Sequence, residues 1–246
     1  MKKIIYLSTF LVILVSFSIT SHAQIQFGIK AGMNGNYIGQ SLENPNDKIN
    51  TKLKLGYHFG LLTEFMTAED ISFNAAIMYI SKGVIIDQTN YLIIEEATVE
   101  GHSVFTYNYL EIPLNIVYRK GDFSVFGGPY IGLGLNGKEF NDFSITFDGG
   151  EIIRDQKGDL KAVYGEFTDD DRANYIDGFS GIDYGINVGI GYILGPTMIS
   201  LGFSRGHNDL EAKREGRLKD NDSITNRVIV LSATYMFDSN VNSTEK

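Results

Sequence analysis

A chain of 246 residues with 30 acidic and 21 basic side chains carries a formal net charge of −9. That balance argues against nucleic acid or an anionic membrane surface as the main partner. No cysteine occurs, which excludes disulfides, thiolate metal sites, cysteine nucleophiles and a lipid-anchored lipoprotein.

Residues 1–23 read as a cleaved secretory signal. Lys2 and Lys3 form the charged start, Ile4 to Phe17 the apolar core, and Ser21-His22-Ala23 a small-x-small cleavage site. A transmembrane helix is the competing reading, but the apolar core is short and no positive stop-transfer cluster follows. Removing Lys2 and Lys3 from the 21 basic residues leaves 19 against 30 acids, a net −11. No later segment has the apolar length of a membrane helix, so any span in the mature chain must be built from strands.

Period-two alternation predicts eight strands, at roughly 25–38, 53–66, 71–86, 105–119, 123–137, 182–194, 197–207 and 226–237. Three connections are very short: Thr67 to Asp70, Lys120 to Asp122, and the turn centred on Gly195-Pro196. Four are long: 39–52, 87–104, 138–181 and 208–225. This rhythm predicts an all-β, eight-stranded antiparallel up-and-down barrel in the outer membrane of a Gram-negative bacterium, with short periplasmic turns and long extracellular loops. The expected organisation is signal 1–23, barrel domain 24–237 and a polar periplasmic tail 238–246.

In strand one Phe27, Ile29, Ala31, Met33 and Tyr37 alternate with Gln26, Gly28, Lys30, Gly32, Asn34 and Asn36. The polar phase of the strands is mostly Gly, Asn and Ser with isolated charges, which suits a narrow, crowded lumen better than a solvated surface. Apolar-phase aromatics gather at the short-turn end (Phe27, Phe65, Phe73, Tyr118, Phe123, Tyr192, Tyr235, Phe237). A second group (Tyr37, Tyr57, Tyr79, Tyr184, Phe203) lies toward the long loops. Two girdles around an aliphatic band point to a lipid-facing exterior. A soluble, lipocalin-like periplasmic barrel that binds a ligand is the alternative.

Phe27-Gly28-Ile29-Lys30-Ala31-Gly32, Tyr109-Leu110-Glu111-Ile112-Pro113-Leu114, Gly127-Gly128-Pro129-Tyr130 and the run Leu231 to Phe237 resemble the porin-like, PorT-type outer-membrane β-barrel family, OmpA-like in size. The resemblance covers most of the mature chain outside the long loops. It implies the barrel fold and no catalytic signature. One branch of that family serves protein secretion and gliding. The terminal aromatic strand, with Tyr235 and Phe237, resembles the signal read by the barrel assembly machinery.

Lys30, Glu64, Glu111 and Asn187 stand in the polar phase and are the expected polar network of the lumen. Lys30 is expected among Glu64 and Glu111, because a buried charge needs a partner; a proton or solute pathway is the rival reading. Pro113 and Pro129 lie within strands and predict bulges nearby. Gly132-Leu133-Gly134-Leu135-Asn136-Gly137 matches the dinucleotide-binding glycine pattern, yet no helix pattern follows, so small residues in a narrow barrel explain it better. Segment 138–181 holds eleven acids against five bases. Its Asp169-Asp170-Asp171 run could offer carboxylates to a hard divalent cation, but it lacks the spacing of a calcium loop and reads better as a solvated surface. Four scattered histidines have no ligand spacing: His58 falls in the lumen, His102 and His207 on outer loops. No enzyme site and no cofactor is nominated. Two loop segments, Tyr91 to Ile94 and Phe143 to Phe147, alternate enough to extend the barrel as hairpins. The expected role is non-enzymatic, structural or through loop binding, with outer-membrane lipid, the assembly machinery and a secretion complex or surface ligand as partners.

Overall fold

The computed structural model describes residues 25–41, 50–92, 97–147, 150–175, 177–214 and 223–237. In chain order the strands are β1 (Ile25–Ser41), β2 (Thr51–Lys52), β3 (Lys54–Met66), β4 (Ile71–Leu92), β5 (Ala97–Lys120), β6 (Phe123–Phe147) and β7 (Gly150–Val163). They continue with β8 (Glu166–Phe167), β9 (Asp177–Ser180), β10 (Ile182–Leu194), β11 (Thr197–Gly206), β12 (Lys213–Arg214) and β13 (Ser223–Met236). Eight of them form one antiparallel ring: β1, β3, β4, β5, β6, β10, β11 and β13, which pairs back onto β1 from Gly28↔Met236 to Ser41↔Ser223. Closure leaves no edge to satisfy, which is the condition for strands to stand in lipid.

The three short turns lie where expected. Gly121 and Gly195 take positive φ of 60° and 61°, with open space around a would-be Cβ, so glycine serves the backbone there rather than packing. At the first turn the Thr67 hydroxyl donates to the Ile71 carbonyl at 2.9 Å.

The outer face is apolar from one end of the band to the other. All eight aromatics of the short-turn girdle are exposed, led by Phe123 and Phe27. On the opposite rim Tyr57, Phe59 and Tyr79 stack across β3 and β4, with centroids 5.2–6.5 Å apart. This exterior, set against an interior of buried Asn, Ser and charged groups, excludes the soluble lipocalin-like alternative.

Two expectations need correction. The third strand does not stop at 86, the fourth does not start at 105 and the fifth does not stop at 137: β4 and β5 stay paired out to Leu92↔Ala97, and β6 runs on to Phe147 against β7. The apolar alternation stops there because neither face of a hairpin beyond the membrane has lipid to meet. Bulges at the prolines are also absent. Register is unchanged across Pro113 and Pro129, and the one shift falls between Asn108 and Tyr109, where β6 loops out Leu135. Unpaired positions flank Pro113 instead, so the missing donor costs ladder bonds without moving the register. Beyond the ring, β7 returns to pair in parallel with β9, and β8 pairs in parallel with β12.

Candidate functional site

Inward-facing positions of the ring build a lumen with layers of different chemistry. Toward the outer end Lys82, fully buried, places its ammonium 2.6 Å from Glu111 and 2.9 Å from Asp183. Asn226 donates to Asp183 at 2.9 Å, and the Tyr130 and Tyr109 rings lie 4.7 and 5.4 Å from the ammonium. Five ring strands converge here: β4, β5, β6, β10 and β13. Such a cluster is stable only because the opposite charges meet, since each alone would be costly in a dry lumen.

At the periplasmic end Arg119 clasps Glu64 through both carboxylate oxygens, at 2.5 and 2.6 Å. Ser72 donates a further hydrogen bond to Glu64, and Arg119 also donates to Ser72 at 3.2 Å. Two parallel N–H donations to one carboxylate are the strongest form of this contact.

Between the ion layers lies a cavity of about 50 Å³, lined among others by Lys30, His58, Asn115, Phe126, Asn187 and Ser232. By the usual space per molecule it is room for roughly three to five waters. The Asn34 amide donates to Asn36 and to the Ser81 carbonyl, so its oxygen faces His58 Nδ1 at 3.3 Å. Nδ1 therefore carries the proton, and Nε2 accepts from the Ser232 hydroxyl at 2.8 Å. A serine, a histidine and an amide in line could suggest a nucleophile and its base. Here both ion layers close the lumen around them, and the chain of bonds serves to satisfy buried polar groups. Asn187 donates to the Gly128 carbonyl at 3.0 Å on the same wall.

Above the Lys82 cluster an apolar cap closes the outer mouth: Ile38, Ile80, Val84, Tyr107, Tyr109, Leu160, Phe179 and Leu210. Phe179 of β9 packs with centroids 5.0 Å from Tyr107 and 5.6 Å from Tyr109, and Tyr109 donates to the Ser180 carbonyl at 3.2 Å. The glycine run at 132–137 is strand β6 throughout. A Cβ at Gly134 or Gly137 would stand 3.0 Å from the Phe179 ring, so these glycines admit the cap.

Lys30, Glu111 and Asn187 line one cavity, but Lys30 forms no ion pair with Glu111 among the described residues, and Glu64 lies apart from both. Lys30 registers with Gly60, while Glu64 registers with Gln26, about 13 Å farther along the strand at 3.3 Å per residue. Glu64 takes Arg119, Glu111 takes Lys82, and Lys30 sits 5.6 Å over the Phe126 ring with no ion pair among the described residues. The partners missed were Lys82, Arg119 and Asp183. Arg119 and Asp183 stand in the polar phase of their strands and were legible by parity; Lys82 lies where inward and outward positions are both covered, which erases the alternation.

Tyr235 and Phe237 end the ring on its lipid face. Their rings meet edge-on at 5.7 Å, and the Phe237 N–H donates to the Phe27 carbonyl at 2.7 Å. The Asp169-Asp170-Asp171 run forms a single turn whose acids meet the chain's own cations: Asp171 with Lys161, and Asp169 with Arg172 at 3.5 Å. The Lys161 hydrogen bond, helped by the Thr168 N–H, holds the Asp171 carboxyl below the usual carboxylate range. Among the described residues no three acidic or histidine side chains are grouped to hold a metal ion.

Residues 18–212 match the family described as the outer membrane protein beta-barrel domain. No curated protein matches the sequence. Solved structures similar to it include the attachment invasion locus protein Ail of Yersinia pestis, bound to the heparin analogue sucrose octasulfate, at 10% identity and TM-score 0.40, covering 87% of this chain and 99% of that one. OprG of Pseudomonas aeruginosa follows at 13% and 0.36, covering 89% and 99%. Outer membrane protein W of E. coli stands at 13% and 0.32, covering 88% and 100%. With the family matched over most of its length and the closed ring of eight strands wearing its apolar face outward, this chain belongs to the outer membrane protein beta-barrel domain family.

Proposed function

We propose that the protein is a non-enzymatic outer-membrane barrel whose lumen is closed and whose work is done by its outer hairpins. The observation that carries this reading is the layered filling: an Arg119–Glu64 clasp, the Lys82–Glu111–Asp183 cluster and the Phe179 cap lie in series along one axis. A solute would have to break two ion layers and an apolar plug. Meanwhile β4 runs about 40 Å from the Tyr79 rim to Leu92 at the usual strand rise, and with β5, β6 and β7 it presents a four-stranded surface outside the membrane. Function concentrates on such projections when the scaffold is a filled barrel.

In this reading residues 1–23 direct export and are removed, 24–237 form the barrel, and 238–246 trail in the periplasm. Tyr235 and Phe237 are presented to the assembly machinery as the terminal strand, and outer-membrane lipid surrounds the band. Partners are surface ligands or a secretion complex of the PorT-like kind, met through the hairpins. Purified protein in planar bilayers tests the closed lumen: little or no conductance is expected, and large, stable single-channel currents from the monomer would overturn it. Deleting residues 89–100 at the β4–β5 tip tests the hairpins. Membrane insertion should persist while capture of partners from native membranes is lost.

A further inference from the structure

We propose that Arg205 and Arg227 form a clamp on the barrel's outer wall for the phosphate of an outer-leaflet lipid. The register of β11 and β13 sets the two residues directly opposite each other. Both face outward: Ser204, Asn226 and Val228 are buried toward the lumen, and the flanking outward positions Ile229 and Ile186 are exposed apolar residues, with Tyr37 opposite Arg227 on β1. Like charges directly across a ladder repel. Neither arginine has an ion pair among the described residues, and the Arg227 Nε is buried without an acceptor.

The neighbouring strand gives Arg227 a seat. A Cβ at Gly39 would stand 2.4 Å from Nε and 2.7 Å from Cζ, so the guanidinium occupies the space left by that missing side chain. Arg227 is thus a seated fork, not a free surface charge, with the exposed Arg205 directly across the ladder from it. Its height is informative as well. Arg205 lies at the outer end of β11, which begins at Thr197 beside the periplasmic turn. Strand rise and a tilt near 40° put it about 20 Å above that turn, close to the far edge of an apolar band about 25 Å tall.

At that depth headgroups replace hydrocarbon. Two guanidinium forks match the oxygens of one phosphate, and the apolar neighbours match acyl chains below it. In a chain of net charge −9, a paired cationic site at the lipid boundary is the local exception that an anionic amphiphile can use.

The test uses the full chain in non-ionic detergent, with bound lipid counted by native mass spectrometry. Three probes are compared: phosphorylated lipid A, the same lipid stripped of phosphate, and inorganic phosphate. Phosphorylated lipid A should bind at least about tenfold tighter than the stripped form, the scale of one charge-assisted bidentate contact. The Arg205→Gln/Arg227→Gln protein should lose that preference, Gly39→Ala should weaken it by unseating Arg227, and Lys120→Gln at a periplasmic turn should keep it. Equal binding of the two lipids by the unaltered protein overturns the proposal whether or not the variants fold. So does an unchanged preference in a folded double variant. Inorganic phosphate competing as well as the lipid would overturn the lipid source.

Discussion

At the periplasmic end of the lumen Arg119 holds Glu64 with its side chain still 19% exposed, whereas at the outer end Lys82 is 0% exposed between Glu111 and Asp183 beneath an apolar cap. Both layers neutralise charge inside a narrow barrel, yet the cation of one meets solvent and the cation of the other does not. The difference predicts which layer the fold depends on. Losing the cation orphans one buried carboxylate at the lower layer, Glu64, but two at the upper one, Glu111 and Asp183.

The largest effect should follow from Lys82→Met, which leaves Glu111 and Asp183 buried without a cation. Removing one partner from a buried ionic group typically costs about 3–5 kcal/mol. Unfolding temperature in detergent, read by the heat-dependent gel shift, should fall well below that of the unaltered barrel. Adding Glu111→Gln and Asp183→Asn to Lys82→Met should recover most of the loss, because no charge then remains unpaired. Failure of the triple variant to recover would mean that the cluster acts through packing rather than charge.

Phe179→Ala comes next. Truncating a buried phenylalanine costs about 3–5 kcal/mol in a rigid core. The low end is expected here, since the cap lies outside the membrane and can settle onto Tyr107 and Tyr109. Proteolysis of the outer segment should accelerate while the ring itself stays protected. Equal sensitivity of ring and cap would break the distinction drawn between them.

The two regions also differ in how far the sequence disclosed them. Ring order, the three turns and the inward set of β1, β3 and β10 follow from period two, because each strand there has lipid on one side and a lumen on the other. Glu64, Glu111 and Asn187 were found by that parity alone. The cap was invisible to it: Ile38, Val84 and Phe179 are covered on both faces, so nothing alternates, and Phe179 arrives from a segment that reads as an acidic loop. Pairing was hidden for another reason. Lys30, Glu64 and Glu111 share a phase, but phase says nothing about height, and strand stagger sent each to a different partner or to none.

That stagger changes the expectation for Lys30. With no carboxylate in ion-pair contact and the Phe126 face 5.6 Å from its ammonium, Lys30→Met removes a cation–π contact of about 1–2 kcal/mol. It should shift the unfolding temperature far less than Lys82→Met does, and by about as little as Lys54→Met at the outer rim. A loss as large as that of Lys82→Met would show that Lys30 is the hidden counter-charge of the upper cluster.

The smallest effect belongs to the outer segment, at a turn that buries no residue. The Lys161 ammonium, and after it the Thr168 N–H, keep the Asp171 carboxyl below the usual carboxylate range. A carboxyl depressed in the folded state stabilises its turn above its unfolded pKa of about 3.9, and that stabilisation is lost as pH falls through the lower folded value. A carbon-detected NMR titration of Asp171 should therefore give a midpoint below about 3.9 that rises toward it in Lys161→Met. The barrel's unfolding temperature should not follow this titration, because the turn at Asp171–Ala173 buries no side chain. If the whole barrel instead weakened over the same acidic window in the unaltered protein and not in Asp171→Asn, the outer segment would be coupled to the ring, and the separation of the two regions would fail.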